Sequence, residues 1–525
     1  MNIAEAKEQI KNAMSAYFSK DEFGDYRIPV EKQRPVFMIG PPGIGKTAIM
    51  EQIASELGVG LVSYSMTHHT RQSALGLPYI TTKEYGGRQY QVSEYTMSEI
   101  IGSVYDLMRE TGLKEGILFL DEINCVSETL APCMLQFLQY KIFGQHRVPE
   151  GWILVTAGNP PEYNKSVRDF DIVTWDRLKR IDVEPDYETW RKYAGSKGVH
   201  ASVMTYLAAR KKDFYKVENA ADGRHFVTAR GWDDLSEMIT LYEEKDIPVN
   251  EKLIIQYLQD ARTAKDFAIY YDLFHRYRSD YQIEAILDGT VSGAIVLRAQ
   301  QAKMDERLSV LGLLFDGVTA HLKAVCEHEN VLDLVMEDMR TLKGAGSPLP
   351  VAGKEAISCA SGDSRTSCLS EVLRELAKSR EEELSSGRRA SSLSGQQQRE
   401  LRRAAALLDL FRAELLKNER ENGHSSFDEV RALFQAQVQE LRERADRAGK
   451  MLDNAFRFCE EAFTQGENPG DEVLLFVTEL TSNYYSARFI GHYGCDRYYL
   501  HNKELQFQER QQEIERQIEG MDWDV

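Results

Sequence analysis

Cysteine is scarce in this chain and forms no pattern: seven residues among 525, with no C-x-x-C pair. That points to neither a disulfide framework nor a zinc ribbon, and reduced thiols are expected. Long apolar runs are missing as well. No stretch of about 18 consecutive apolar residues occurs, which argues against a membrane span. The opening segment MNIAEAKEQIKNAMSAYFSK interleaves Glu and Lys where a signal peptide would carry an apolar core, and reads as an amphipathic helix. A cytoplasmic protein is expected. Basic excess is the third absence. Lys and Arg number 64 against 82 Asp and Glu, a net charge of −18. Such a balance repels a phosphate backbone and disfavours nucleic acid as a partner. Gly and Pro are not in excess either, which argues against wholesale disorder.

What the chain does contain is an alternation of strands and helices. Its length exceeds what one hydrophobic core supports, so two or three domains are expected. Short apolar runs at Pro35–Ile39, Gly60–Tyr64, Ile117–Leu120 and Trp152–Thr156 have helical patterns between most of them. This predicts an α/β domain with a parallel sheet over residues 31–185, after an N-terminal helix and linker over 1–30. Two insertions read as hairpins: residues 79–92 around Gly86-Gly87, and the shorter 140–148 around Gly144. From 186 to about 285 helical spacing takes over, which predicts a small helical lid domain. Residues 286–525 are read as a helical C-terminal region. Within it, 343–368 concentrates Gly, Ser, Pro and Ala and reads as a flexible segment. Val430, Phe434, Val438, Leu441, Ala445, Ala448 and Leu452 recur at steps of four and three, the seam of a coiled coil or of a bundle helix.

The chemistry sits at strand ends. Gly40-Pro41-Pro42-Gly43-Ile44-Gly45-Lys46-Thr47 follows the first strand and precedes a helix. Glycines there let backbone N–H groups curl around phosphates at a helix N-terminus, with Lys46 toward the β- and γ-phosphates and Thr47 on Mg²⁺. Asp121 and Glu122 follow the apolar run Ile117–Leu120. Asp121 would hold the Mg²⁺ shell and Glu122 would orient the attacking water. Asn159, after the Trp152–Thr156 run, delivers an amide to the same edge. ATP and Mg²⁺ are the expected ligands.

These three segments, in this order and with the second hairpin before the last strand, resemble AAA+ ATPases and in particular the MoxR family, over residues 31–285. The most specific part is APCMLQFLQYKIFGQHRVPEGWILVTAGNPPEYN. The resemblance implies several roles. Asn159 would be sensor 1, the two hairpins would face a central pore, and Arg177, or Arg180 as its alternate, would be an arginine finger completing a neighbour's site. Arg230, in Thr228-Ala229-Arg230-Gly231-Trp232, would be sensor 2. Leu178 stands where the family usually shows Phe, which loosens the register of the finger. The family also implies a self-assembled ring of six and a protein client, in the company of a von Willebrand A-type partner.

The favoured reading is an ATP-hydrolysing chaperone or remodelling enzyme. A nucleotide-operated scaffold switch and a nucleic-acid translocase are the alternatives. The translocase would need basic hairpins, and Lys83, Arg88, Lys141 and Arg147 supply few such groups. His492, Cys495, His501 and Glu504 are metal-ligand types without a known metal spacing, as is the pair His68-His69. They read as ordinary polar residues, the former among Tyr484, Tyr485, Tyr493, Tyr498 and Tyr499, which suggest a docking surface or a core.

Overall fold

The computed structural model describes residues 1–506 apart from 71, 73, 75, 165–166, 168–169, 221–222, 346–364, 391, 423–426, 465–469 and 504. The chain divides into two compact units that do not follow sequence order. One comprises Met1–Thr189 with Glu375–Ala406, the other Trp190–Arg374 with Leu407–Val525.

The first unit opens with α1 (Ile3–Tyr17). Asn2 and Glu5 form a capping box, each side chain accepting from the other's backbone N–H. Ala6, Ile10, Ala13 and Met14 give α1 one buried face. There follow β1 (Val36–Ile39), α2 (Ala48–Leu57), β2 (Gly60–Ser65), β3 (Pro78–Tyr85), β4 (Arg88–Tyr95), α3 (Glu99–Thr111) and β5 (Gly116–Asp121). The unit continues with α4 (Ala131–Tyr140), β6 (Ile142–Phe143), β7 (His146–Arg147), β8 (Trp152–Gly158), α5 (Ile172–Trp175) and β9 (Lys179–Asp182). Five strands form one parallel sheet in the order β2-β5-β8-β1-β9. Burial explains the order. Ile117 to Leu120 in β5 and the whole of β8 are buried, as central strands covered on both faces must be. In β9 only Ile181 is buried, between charged neighbours. That edge strand was absent from the sequence reading because Lys179, Arg180 and Asp182 break its apolar run. At the start of the central strand β8, Trp152 is fully buried, and its ring would lie 2.6 Å from a Cβ on Gly116, so only glycine fits beneath it.

The two hairpins behave differently. β3 and β4 pair antiparallel from Pro78↔Tyr95 to Tyr85↔Arg88 around Gly86 and Gly87, both at positive φ. Tyr79, Ile80, Tyr85 and Tyr90 stand exposed on it. The β6–β7 hairpin does not present the Phe143 ring to solvent. Instead Phe143 is 1% exposed and stacks on Phe137 at 3.9 Å, because α4 ends just before it and turns the ring back into the core. Lys141 makes that turn in the left-handed region, at φ 56°. Its buried Nζ donates to Val30 O at 2.7 Å. Burial pushes its ammonium down to about 8, against a smaller upward pull from Glu31.

The second unit is mostly helical. The purely helical expectation for 186–285 needs correction. Lys216–Ala220 and Gly223–Val227 pair as antiparallel strands β10 and β11. The Asp-Gly dipeptide between them is a turn signal that the helical spacing around it obscured. Tyr206 and Trp232 each meet Phe267 edge to face with ring centroids 5.2 Å apart, and lie tilted to one another at 5.7 Å. Farther along, the long helix Met304–Ala345 packs on Phe427–Phe463, Asp471–Ser482 and Tyr484–Tyr493. By length and composition Met304–Lys343 could cross a membrane, which the consecutive-run criterion did not register because Asp316, His321 and Lys323 interrupt it. Here Val310, Leu314, Val318, Leu322 and Val325 of that helix are buried against Leu452, Phe456 and Cys459. The seam from Ala445 onward is therefore a bundle contact. The expected flexible segment falls at 346–364 outside the described residues, and Arg365–Arg389 beyond it is helical.

Two outcomes follow from this packing. Phe143→Ala should lower stability by about 3–5 kcal/mol through loss of a buried aromatic, whereas Tyr85→Ala should stay within about 0.5 kcal/mol; urea midpoints of both variants check this. For Lys141, the fold disfavours the charged form, so the penalty is full below about pH 8 and is relieved as pH rises toward the ordinary 10.5. Comparing wild type with Lys141→Met at the two ends of that window should show the difference swinging toward wild type by on the order of 3 kcal/mol. A difference that does not change with pH would refute the buried ammonium.

Candidate nucleotide site

The parallel register brings three chain segments to one sheet edge. Ile39 pairs with Gly158, and Leu120 with Thr156, so β1, β8 and β5 end at nearly the same level. Each strand then delivers its polar residues beyond the last apolar pair. From β1 the loop Gly40–Thr47 turns through Gly43 and Gly45, at φ 75° and 93°, into α2. Its glycines and the start of α2 form a concave run of backbone donors suited to phosphate. Lys46 is 8% exposed, and its Nζ donates to Gly40 O and Pro41 O at 2.8 Å and to Asn159 Oδ1 at 3.0 Å. Pro41 and Ile44 are buried, Pro42 exposed.

Asp121 closes the opposite side. Its Oδ2 accepts from Thr47 Oγ1 at 2.9 Å, and its Oδ1 accepts from the Glu122 backbone N–H at 2.9 Å. A hydroxyl and a carboxylate in contact are the oxygen donors that Mg²⁺ takes from a protein when it keeps its other positions for water and phosphate. Glu122 itself adopts φ 56°, a left-handed conformation unusual for a non-glycine residue and a known mark of functional turns. Lys46, Thr47, Asp121, Glu122 and Asn159 thus share one edge.

Three further residues were not singled out from sequence. Ser65 Oγ and Thr67 Oγ1 donate to Glu122 Oε2 at 3.4 and 3.2 Å. They follow from topology: Ser65 ends β2 opposite Asp121. Asn124 is buried, and its Nδ2 donates to Asn159 O at 2.9 Å. A Cβ on Gly158 would stand 2.4 Å from Asn124 Oδ1, so glycine there lets the amide approach. Burial, then Glu122 and Asp121, push the Cys125 thiol up, so it stays protonated beside these carboxylates.

Arg177 and Arg180 are not among these residues. Arg177 is exposed in the turn between α5 and β9, where its guanidinium donates to Gln139. Arg180 lies on β9, bonded through Nε to both Asp182 oxygens at 2.9 and 3.1 Å and placed 4.9 Å over the Trp175 ring. Leu178 between them is buried. Arg230 belongs to the second unit, exposed in the first turn of the helix Ala229–Glu244, whose N-cap Thr228 accepts from Gly231 N at 3.1 Å. His492 lies 3.3 Å from Glu329, and His501 2.8 Å from Glu460, on two different helices. Among the described residues no group of three or more metal-ligating side chains forms; Glu504 and the His68 side chain lie outside them. Tyr485 and Tyr498 belong to the core, while Tyr484, Tyr493 and Tyr499 are exposed.

A parallel sheet of this strand order, with a glycine loop and an Asp-Glu pair at its carboxyl edge, defines a P-loop nucleotide-binding domain of the AAA+ class. Sequence comparison agrees: residues 35–178 match the AAA domain of the dynein-related subfamily. No curated protein matches the chain. Among solved structures that match is a candidate ATPase from Cytophaga hutchinsonii, at 14% identity, with 37% of this chain and 58% of that one covered and a TM-score of 0.23. This chain therefore spans less than two thirds of that neighbour, and the overlay does not extend the assignment beyond the AAA segment.

Removing the Lys46 ammonium should weaken nucleotide binding by roughly tenfold to a hundredfold, the range of a hydrogen bond to a charged group. A titration of Lys46→Ala with a fluorescent ATP analogue reads this. Unchanged affinity would remove the loop from the site.

Proposed function

We propose that this protein is an ATP-hydrolysing remodelling enzyme of the MoxR type, acting on a protein client as a ring, the hexamer its resemblance implies. The observation that carries the proposal is the convergence of Lys46, Thr47, Asp121, Glu122 and Asn159 on one sheet edge. Lys46 binds the phosphates. Thr47 and Asp121 would hold Mg²⁺, which when bound supplies charge neutralisation for the phosphates. Glu122 orients water for attack, and Asn159 keeps a polar group against the reacting phosphate.

Arg177 acts across a subunit boundary in this reading. Beside it Ile172 and Val173 are 86% and 57% exposed, a pair of branched apolar side chains suited to contact with a second copy. Arg180 is less suited, because Asp182 and Trp175 already engage it. Arg230 reports the nucleotide state from the lid.

The client is a protein and not a nucleic acid. Lys83 pairs with Glu94, Arg147 pairs with Glu31 and Lys141 is buried, so Arg88 is the main basic charge the hairpins offer. Tyr79, Ile80, Tyr85 and Tyr90 instead present an apolar and aromatic surface on β3–β4. A von Willebrand A-type partner and a cytoplasmic site belong to the same proposal.

Glu122→Gln should bind ATP with parental affinity yet lose nearly all turnover, because the side chain acts on water alone. Arg177→Ala should be inactive as well. Mixing the two inactive proteins should restore some hydrolysis, since a mixed assembly has interfaces with one intact Glu122 and one intact Arg177. Parental turnover by Glu122→Gln would overturn the enzyme, and no recovery between subunits shown to exchange would overturn the ring.

A further inference from the structure

Within the first unit, the segment 375–406 returns from far along the chain to the sheet's β2 edge. The helices Arg365–Arg389 and Gly395–Asn422 form a hairpin whose tip lies there. Leu61 N of β2 donates to Ala390 O at 3.2 Å. Ala390 is 1% exposed and belongs to the same buried cluster as Val62, Leu118 and Trp152. Around it, Ser55 Oγ of α2 donates to Gln397 Oε1 at 3.1 Å, and Arg389 lies 3.7 Å from Glu110 of α3. The tip is also braced internally: Ser392 N donates to Gly387 O at 3.0 Å, and Ser394 N to Gln397 Oε1 at 2.8 Å.

The strand that receives this tip also controls the water-orienting carboxylate. Leu61 and Ser65 are four residues apart on one extended strand, about 13 Å. At its far end Ser65 and Thr67 donate to Glu122 Oε2. Those two hydroxyls take up acceptor positions on Oε2 and so fix the orientation of the carboxylate.

We infer that the tail hairpin 375–406 is a built-in restraint on hydrolysis: docked on β2, it holds the strand where Ser65 and Thr67 engage Glu122. Lifting the tip off β2 releases the carboxylate. Both hairpin helices continue, before 375 and after 406, into residues of the other compact unit, so a protein that loads the C-terminal helices has a covalent route to the strand. A cover for the sheet edge alone would protect β2 from pairing with another chain, but it would have no bearing on Glu122. The inference rests on the hydrolytic reading above.

The test is Ala390→Glu, with Arg389→Ala/Gln397→Ala as a gentler second variant, each made in the parent chain and in a Ser65→Ala/Thr67→Ala background. Hydrogen exchange at the Leu61 amide reads undocking directly, and steady-state ATP turnover reads the consequence. In the parent chain, faster exchange should accompany turnover raised roughly threefold to tenfold, the scale of one or two neutral hydrogen bonds. In the Ser65→Ala/Thr67→Ala background turnover should already be raised, and undocking should add nothing further. Faster Leu61 exchange with parental or lower turnover would overturn the restraint. So would an equal gain in both backgrounds, because the effect would not pass through Ser65 and Thr67, and so would unchanged exchange in both variants, because the tip would not be held by these contacts. A parent chain without any ATP turnover would instead remove the enzymatic reading itself.

Discussion

Parallel pairing of β1, β8 and β5 is the constraint on which the site depends. A parallel ladder points every strand the same way, so all three polar continuations leave the sheet at one edge. The apolar residues behind them, such as Phe37, Leu118, Phe119 and Val155, are buried and fix that edge in place. Lys46 can then reach Asn159, and Thr47 can reach Asp121, although 113 and 74 residues separate them in the chain. A one-residue slip would invert each strand and turn these side chains to the wrong face.

The same edge places the neighbouring strand in contact with Glu122. Glu122 stands in a left-handed turn and is engaged by hydroxyls from the neighbouring strand and the turn after it. Its availability is therefore a property of β2 as much as of β5. An edge strand is the mobile member of a sheet, since only one side is laddered. Here the free side meets the tail hairpin, which ties residues far along the chain to the strand beside Glu122.

Charge has a similar tertiary logic. A chain with a net charge of −18 carries two of its four basic hairpin residues in internal pairs, Lys83 with Glu94 and Arg147 with Glu31. Beside exposed Arg88, the β3–β4 hairpin turns Tyr79, Ile80, Tyr85 and Tyr90 to solvent. The helical unit meets its own demand for core differently, with a long apolar helix buried by three others.

The phosphate loop, the Asp121-Glu122 pair and the central strands were legible because each is local: a strand's apolar run, then the residues that continue it. The edge strand β9 and the pair β10–β11 were not, since charged neighbours in one and helical surroundings in the other mask short strands. Side-chain type could not tell that Phe143 turns inward while Tyr85 stays out; the ending of α4 at Lys141 decides it. Nor could any local pattern place Ser65 and Thr67 on Glu122, or Ala390 on Leu61. The sequence by itself determined which polar residues stand at the strand ends, because Lys46, Thr47, Asp121, Glu122 and Asn159 follow the apolar runs that position them. Only the tertiary structure decided what touches the β2 strand, because contacts between segments more than 300 residues apart depend on the packed sheet, not on spacing along the chain.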